Sequence, residues 1–255
     1  MSFEALAPGL EPDLSKAAEE SGLMISVVVM AYNEVGTAVN FVDEVRAELN
    51  SLGVSWELLA VDDCSTDGTR EALLRAADRI AEMRVVSHAS NLGLGAVYRT
   101  GLREAAGAFI TFFPADAQFP ASNLSVLWKA AADQDAVFGY LEDRRDGWAA
   151  VALSSIERML YRIIVGPLPR FQGVLMVRRG ILSDFSLVSS GRGWGILMEL
   201  AARLHQGSYR SQSVLTTIVP RRSGESKVRN LRTIMANMRD LLLLRFALSR
   251  KPYPL

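Results

Sequence analysis

Apolar residues fall into short continuous runs that alternate with stretches of helical spacing over the first 140 positions. Residues 25–31 (ISVVVMA) form an uninterrupted, largely β-branched run, which is typical of a strand buried on both faces. Similar short runs follow at 56–61, 84–87, 108–113 and 135–140. Helical spacing lies between them, at 35–52, 70–83, after Asn91 and at 120–132, where Pro120 suits the first turn. Strands that alternate with helices predict an α/β fold with a mostly parallel sheet flanked by helices.

The second half of the chain is less regular. Helical spacing recurs at 148–165, 194–206 and 228–249, and strands are predicted at 173–178 and 209–219. The helix at 228–249 is basic and amphipathic, so it suits either a membrane interface or packing on the sheet or a partner subunit. We therefore expect a loose acidic leader at 1–23, one domain at 24–227, and a C-terminal amphipathic helix and tail at 228–255.

Charge is divided unevenly along the 255 residues, although 28 basic and 28 acidic side chains cancel overall. Residues 1–137 carry a net charge of −11 and residues 138–255 a net charge of +11. A basic half suits phosphorylated ligands or an anionic membrane surface, or it neutralises the acidic half across an internal interface. The chain has no nucleic-acid motif, so we expect no nucleic-acid partner.

The remaining composition narrows the class of protein further. A single cysteine, Cys64, excludes a disulfide within the chain and suggests a reducing compartment, and the two histidines, His88 and His205, lie too far apart to suggest zinc. No apolar run reaches the roughly 18 residues that span a bilayer. We therefore expect a cytoplasmic protein. Peripheral contact with the cytoplasmic face of the membrane and assembly into a homo-oligomer are both compatible with this expectation.

Polar residues follow the predicted strands, where ligands bind in open parallel sheets. Asp116 and Gln118 offer oxygen ligands for Mg²⁺ or Mn²⁺, or they cap a turn. Asp62 and Asp63 suit hydrogen bonds to a base or ribose, or turn chemistry. Gly93 and Gly95 allow either close approach to a ligand or a tight helix entry.

Five segments in order, VVVMAYNE, VDDCSTDGT, NLGLGAVYRTG, FFPADAQFP and RRSGESK, resemble the family 2 glycosyltransferases of the GT-A fold. Within them the chain is most similar to the polyprenyl-phosphate glycosyltransferases of the dolichyl-phosphate mannose synthase group. The resemblance implies donor-binding residues at the following positions: Ala31, Tyr32, Asn33, Glu34, Asp62 or Asp63, Asn91 and Gly95. It further implies that Asp116 and Gln118 hold the metal, and that Arg221, Ser226 and Lys227 face the phosphates, with Asp116, Arg221 and Lys227 catalytic.

Three positions depart from the family pattern. Met30 replaces a proline, and Pro114 replaces the first aspartate of the D-x-D motif, which removes one metal ligand. Arg170 stands where an acidic residue is common. The departures put metal affinity in question and leave the fold assignment intact.

The resemblance implies inverting transfer of a hexose from a GDP- or UDP-sugar to a polyprenyl phosphate. A phosphate acceptor needs no general base, and the second half offers one candidate base, Glu199, which reads as a residue of an ordinary helix. The alternatives are a family 2 enzyme with a soluble saccharide or small-molecule acceptor, and a non-catalytic nucleotide-sugar-binding homologue. A sugar-1-phosphate nucleotidyltransferase fits less well, because AYNE is not a Gly-rich phosphate loop with a basic residue.

Overall fold

The computed structural model describes residues 22–142, 166–184, 187, 189, 191–220 and 245. Strands and helices alternate through most of this part of the chain, as the apolar pattern predicts. The strands are β1 (Ile25–Ala31), β2 (Trp56–Asp62), β3 (Met83–Ser87), β4 (Phe109–Pro114), β5 (Ala136–Leu141), β6 (Leu175–Arg178) and β7 (Ser211–Thr216). The helices are α1 (Ala38–Leu52), α2 (Thr69–Ala77), α3 (Leu94–Glu104), α4 (Asn123–Ala130) and α5 (Gly195–Gln206), with a 3₁₀ helix at Arg179–Asp184.

The described strands form one sheet in the order β3-β2-β1-β4-β6-β5-β7. β1 pairs in parallel with β2 and β4, β2 with β3, and β5 with β7, whereas β6 is antiparallel to both of its neighbours. The mostly parallel sheet is confirmed, and one reversed strand makes it mixed. The parallel pairing brings the carboxyl ends of β1, β2, β3 and β4 to one edge.

Two apolar cores lie on opposite faces of the sheet. Ile25, Val27 and Val29 of β1 face the core with α1, α2 and α4, while Val28 and Met30 face the core with α3 and α5. All seven residues of β1 are buried because each face of the strand is covered by helices. This arrangement explains why the sequence shows a continuous apolar run here and not an alternating one.

Several predicted boundaries are wrong by a few residues. Pro120 lies before α4 and not in its first turn, because residues 120–124 make turn hydrogen bonds from Asn123 to Pro120 and from Leu124 to Ala121. The helix predicted at 70–83 ends at Ala77, since Met83 joins β3. The strands predicted at 173–178 and 209–219 shorten to β6 and β7. The leader at 1–21, the helix at 148–165, the loop at 221–227 and nearly all of the helix at 228–249 lie outside the described residues.

No helix among the described residues has the length and apolar character needed to cross a bilayer.

Glu199 of α5 forms a buried ion pair with Arg203 one turn later. The carboxylate lies 2.7 Å from the guanidinium, and the two side chains are 0% and 5% exposed. The other carboxylate oxygen accepts a hydrogen bond from the Ser189 N–H at 2.8 Å. Glu199 therefore has a structural role, which agrees with the expectation that it is not a general base.

We predict that Glu199→Ala lowers the free energy of unfolding by about 3–5 kcal/mol, because it leaves the buried Arg203 guanidinium without this carboxylate. Urea unfolding followed by circular dichroism measures the change. Arg103→Ala is the matched control, since the Arg103 side chain is 71% exposed in its pair with Glu104, and its loss should cost less than about 1 kcal/mol. Equal stability of Glu199→Ala and wild type would contradict the structural role.

Candidate functional site

The ends of β1 to β4 and the loops that follow them form the carboxyl edge of the sheet. The predicted donor-binding and metal-binding residues that the structure describes all lie there: Ala31, Tyr32, Asn33, Glu34, Asp62, Asp63, Asn91, Gly95, Asp116 and Gln118. Their placement at one edge follows from the parallel pairing of these four strands. The contacts of each side chain show which of these residues have a structural role.

The loop after β1 is bound to the loop after β2 through Asn33. Its backbone adopts the left-handed conformation with φ 53°, which asparagine tolerates better than most residues. The Asn33 N–H donates to Ser65 Oγ at 2.9 Å, and Asn33 Oδ1 accepts from the Thr66 N–H at 2.8 Å. The Glu34 N–H donates to Thr69 Oγ1 at 2.8 Å. Asn33 and Glu34 therefore fix the two loops against each other, and their contact with a donor stays a prediction.

Asp67 lies two residues before α2 and joins the first residue of that helix to the loop after β1. One carboxylate oxygen accepts from the Thr69 N–H and hydroxyl at 3.0 and 2.5 Å, and the other accepts from the Val35 N–H at 3.1 Å. Partial burial alone would raise the pKa of the carboxyl, but these hydrogen bonds outweigh it and hold the pKa of Asp67 below its ordinary value of 3.8.

Asp62 is the last residue of β2 and is fully buried. Its carboxylate oxygens accept from the Ser65 N–H at 3.2 and 3.3 Å. This is the turn chemistry that the sequence offered as one reading of the Asp62–Asp63 pair.

Asp63 accepts three hydrogen bonds. Its Oδ1 lies 2.7 Å from His88 Nδ1 and 2.9 Å from the Leu92 N, and its Oδ2 lies 2.8 Å from the Gly93 N. An ionised carboxylate has about four acceptor positions, so one remains on Oδ2. The Asp63 side chain is 4% exposed, whereas Asp62 is 0% exposed. The carboxylate of Asp63 therefore organises the loop that leads into α3.

His88 is a residue of this edge that sequence analysis missed. Its side chain is 8% exposed, and Nε2 lies 2.9 Å from Thr100 Oγ1 on α3. From the sequence, His88 is considered only as a zinc ligand. Its position directly after β3, where polar residues reach the carboxyl edge, was the signal that could have identified it.

Gly93 and Gly95 leave space for the backbone of residues 191 and 192. A Cβ at Gly95 would lie 2.1 Å from the Gly191 carbonyl oxygen, and one at Gly93 would lie 2.7 Å from the Arg192 carbonyl oxygen. The Gly95 N–H donates to that Arg192 oxygen at 3.0 Å. We call residues 191–194 the strap. The sequence offered ligand approach or helix entry as the reason for these glycines, and it did not predict the strap.

Arg192 of the strap holds Asn91. Its guanidinium donates to the Asn91 carbonyl oxygen at 2.8 Å and also to Asn91 Oδ1. The Asn91 side-chain amide in turn donates to the Asp63 carbonyl oxygen at 3.3 Å. Nearby, Arg99 of α3 donates to the Ser189 carbonyl oxygen at 2.9 Å. Two residues that are 101 positions apart thus close one side of the site.

Asp116 sits in a tight turn after β4. Its Oδ1 accepts from the Gln118 N–H at 3.1 Å, and Ala117 between them has φ 57°. Pro114, in the position where the family has its first aspartate, ends β4 in register with Met30. Turn chemistry at Asp116 is therefore present, and it leaves metal binding as a prediction.

Asp116 and Gln118 carry oxygen atoms of the kind that Mg²⁺ and Mn²⁺ prefer, so a sparse metal site here stays a prediction. Among the described residues no group of three or more His, Cys, Asp or Glu could hold a metal ion. A cation here would therefore need phosphate and water oxygens for its other ligands, which is the way Mg²⁺ is commonly held beside nucleotides.

The predicted phosphate-binding residues Arg221, Ser226 and Lys227 lie outside the described residues. Arg170, which departs from the family pattern, stacks over the ring of Tyr140 at 4.3 Å from the ring centre.

We predict that Asp67→Asn lowers the free energy of unfolding by about 1 kcal/mol at pH 7, because an NH₂ group replaces one of the two accepting oxygens and the hydrogen bond from either Val35 or Thr69 is lost. The folded-state pKa of Asp67 is depressed, so the ionised group stabilises the fold above its ordinary pKa of 3.8 and this contribution is lost as the pH falls through the lower folded-state pKa. Urea unfolding between pH 7 and pH 3 should show the difference from wild type shrinking in acid. Asp43→Asn on α1 is the control, and a difference that grew in acid would contradict the prediction.

Two curated transferases are similar in sequence to this chain. The chain is 30% identical over 146 residues to undecaprenyl-phosphate 4-deoxy-4-formamido-L-arabinose transferase of Salmonella paratyphi A, which covers 56% of this chain and 44% of the relative. The enzyme of the same name from Edwardsiella ictaluri is 30% identical over 161 residues, with 62% and 47% covered. The chain thus spans about half the length of these curated relatives.

Solved structures share the fold over nearly the whole chain. Glucosyl-3-phosphoglycerate synthase from Mycobacterium tuberculosis, in complex with Mn²⁺, uridine diphosphate and phosphoglyceric acid, superposes with a TM-score of 0.65 at 20% identity, covering 94% of this chain and 82% of that one. Mannosyl-3-phosphoglycerate synthase from Rubrobacter xylanophilus gives 0.63 at 18% identity, with 94% and 79% covered. A profile of the family described as glycosyl transferase family 2 matches residues 26–180. With the carboxyl edge, the seven-stranded sheet and this match over more than half its length, the chain belongs to glycosyl transferase family 2.

Proposed function

We propose that this chain is an inverting glycosyltransferase that moves a hexose from a nucleoside-diphosphate sugar, linked to GDP or UDP, to a polyprenyl phosphate. The observation that carries the proposal is the meeting of the Asn33, Asp63 and Asp116 loops at the carboxyl edge in a chain of glycosyl transferase family 2. Such an edge offers hydrogen-bond acceptors for a base or ribose beside oxygen ligands for a cation.

Asp63 is better placed than Asp62 to contact the nucleotide. Asp62 is fully buried on the strand, whereas Asp63 keeps one acceptor position on Oδ2 and a small exposed area. An N–H or hydroxyl of the nucleotide would donate to that position. The loops of Ala31 to Glu34 and of Asn91 to Gly95 flank it.

Asp116 and Gln118 would hold Mg²⁺ or Mn²⁺ together with the donor diphosphate. When bound, the cation neutralises negative charge that develops on the leaving nucleoside diphosphate. Pro114 supplies no carboxylate, so we expect weaker cation binding than in a relative with two aspartates in the D-x-D motif.

The transfer forms a bond between a phosphate oxygen of the acceptor and the anomeric carbon, and it breaks the bond from that carbon to the leaving diphosphate. Attack from the opposite side inverts the configuration. A phosphate oxygen is already anionic near neutral pH, so no general base is required. This agrees with the burial of Glu199, whose carboxylate is occupied by Arg203 and Ser189.

The acceptor assignment is supported by the curated relatives, whose names give undecaprenyl phosphate. Residues 138–255 carry a net charge of +11, and Arg221, Ser226 and Lys227 are our candidates for the acceptor phosphate. A lipid acceptor implies that the protein contacts the membrane peripherally through its basic half, where each Lys or Arg near anionic lipid contributes about 1 kcal/mol.

A soluble phosphorylated acceptor is the second candidate. The structural neighbours that cover 94% of this chain are synthases of glucosyl- and mannosyl-3-phosphoglycerate. The chemistry of transfer would be the same, and the basic half would hold a small anion in place of a lipid phosphate.

We predict that Asp116→Asn reduces transfer at least about 100-fold and abolishes the stabilisation of the protein by a nucleotide sugar with Mn²⁺. A donor at 100 times its dissociation constant should add about 2.7 kcal/mol of stability to the wild type. Thermal unfolding with UDP-glucose, UDP-galactose or GDP-mannose, with and without EDTA, measures it.

The same substitution at Asp133, an exposed residue in the turn after α4, should behave as wild type. Full activity of Asp116→Asn, or of the wild type in EDTA, would exclude the metal site.

We predict that a radiolabelled sugar is transferred to undecaprenyl phosphate and partitions into butanol, while 3-phosphoglycerate accepts none. Arg221→Ala and Lys227→Ala should reduce this transfer about tenfold or more, because each removes a charge that faces phosphate. Efficient transfer to 3-phosphoglycerate without transfer to the lipid would establish the soluble acceptor in its place.

A further inference from the structure

We propose that His88 is a positioning residue for donor binding: it orients the Asp63 carboxylate so that Oδ2 keeps an acceptor position for the nucleotide. The inference rests on the proposed function, since it concerns the contact between Asp63 and the donor. It assigns to His88 a role in affinity for the nucleotide, separate from transfer itself.

The hydrogen bonds of Asp63 divide unequally between its two oxygens. Oδ1 receives the His88 ring at 2.7 Å and the Leu92 N–H at 2.9 Å, which fill its two acceptor positions. Among the described residues, Oδ2 receives only the Gly93 N–H, at 2.8 Å. A carboxylate only accepts, so His88 donates through Nδ1–H. The ring therefore fixes which oxygen is saturated and which is available.

The ring of His88 is itself held from its far side. Nε2 lies 2.9 Å from Thr100 Oγ1, on a residue of α3 that is 6% exposed. The His88 backbone N–H donates to the Asp62 carbonyl oxygen at 2.9 Å, which continues the pairing of β2 and β3 past the end of β3. With both ring nitrogens engaged and the side chain 8% exposed, rotation of the ring away from Asp63 would break two hydrogen bonds in a mostly buried environment.

Without His88 the carboxylate loses its one side-chain donor among the described contacts. The Leu92 and Gly93 N–H groups lie on neighbouring residues and bind different oxygens, so they anchor the carboxylate from one side only. The carboxylate could then tilt on this one-sided anchor, which would move the acceptor position of Oδ2 away from the nucleotide. Donor binding should weaken in the ground state and the transition state alike, so KM should rise while kcat is retained.

Three variants separate this role from a purely structural one. His88→Leu removes both ring hydrogen bonds, Thr100→Val removes only the far one while keeping the shape of the side chain, and His88→Asn restores an N–H donor near the position of Nδ1. The dissociation constants of UDP-glucose and GDP-mannose with Mn²⁺ are measured by calorimetry, with KM and kcat for the donor that binds. Thermal unfolding without ligand reports the stability of each variant.

We expect His88→Leu to raise the donor dissociation constant and KM about tenfold, which corresponds to about 1.4 kcal/mol, with kcat within about twofold of wild type. Thr100→Val should raise them about threefold, and His88→Asn should restore them to within about threefold of wild type. If His88→Leu does not fold, Thr100→Val and His88→Asn carry the comparison.

A structural role alone would lower the melting temperature and the active fraction while leaving the dissociation constant of the folded protein unchanged, and that result would overturn the inference but not the proposed function. A donor affinity equal to that of wild type in all three variants would also overturn the inference and leave the proposed function intact. Failure of the wild type to bind either donor or its nucleoside diphosphate would overturn the proposed function, and the role of His88 with it.

Discussion

A buried carboxylate must be surrounded by hydrogen-bond donors, and at Asp63 this requirement organises the whole site. The donors come from the end of β3 through His88 and from the loop before α3 through Leu92 and Gly93. One side chain at the end of β2 thus binds both the end of β3 and the entry to α3. An unpaired charge at this depth would cost several kcal/mol, so the loop is held in one arrangement.

The second constraint is steric. Gly93 and Gly95 leave room for the strap, whose carbonyl groups occupy the space where Cβ atoms would otherwise lie. Arg192 then reaches from the strap to Asn91, which is also bound to the backbone of Asp63. The loop before α3 is therefore held from two sides, by its hydrogen bonds to Asp63 and by its packing against the strap.

The sequence predicted the strands and their order along the chain, because continuous apolar runs mark strands covered on both faces. It also predicted that the candidate residues meet at one edge of the sheet. It offered turn chemistry for the Asp62–Asp63 pair, and the bond from the Ser65 N–H to Asp62 joins neighbouring residues. It missed His88 and the strap, whose partners lie 25 and about 100 positions away in the chain. Such contacts leave no local pattern. Glycines at 93 and 95 signal that something approaches closely, without saying whether it is ligand or protein.

Because synthesis proceeds from the N-terminus, the strap is made long after the loop at Asn91 that it contacts. The loop at Asn91 leaves the ribosome about 100 positions before Arg192, and β4 obtains its outer neighbour only with β6. During synthesis the first four strands can pair while the loop at Asn91 still lacks the contacts that close it. The match to the family profile ends at residue 180, before the strap begins. A fragment cut at that boundary would contain every strand of the carboxyl edge and the loops after them, yet its loop at Asn91 would be open, so such fragments are poor substitutes for the full chain in ligand screening.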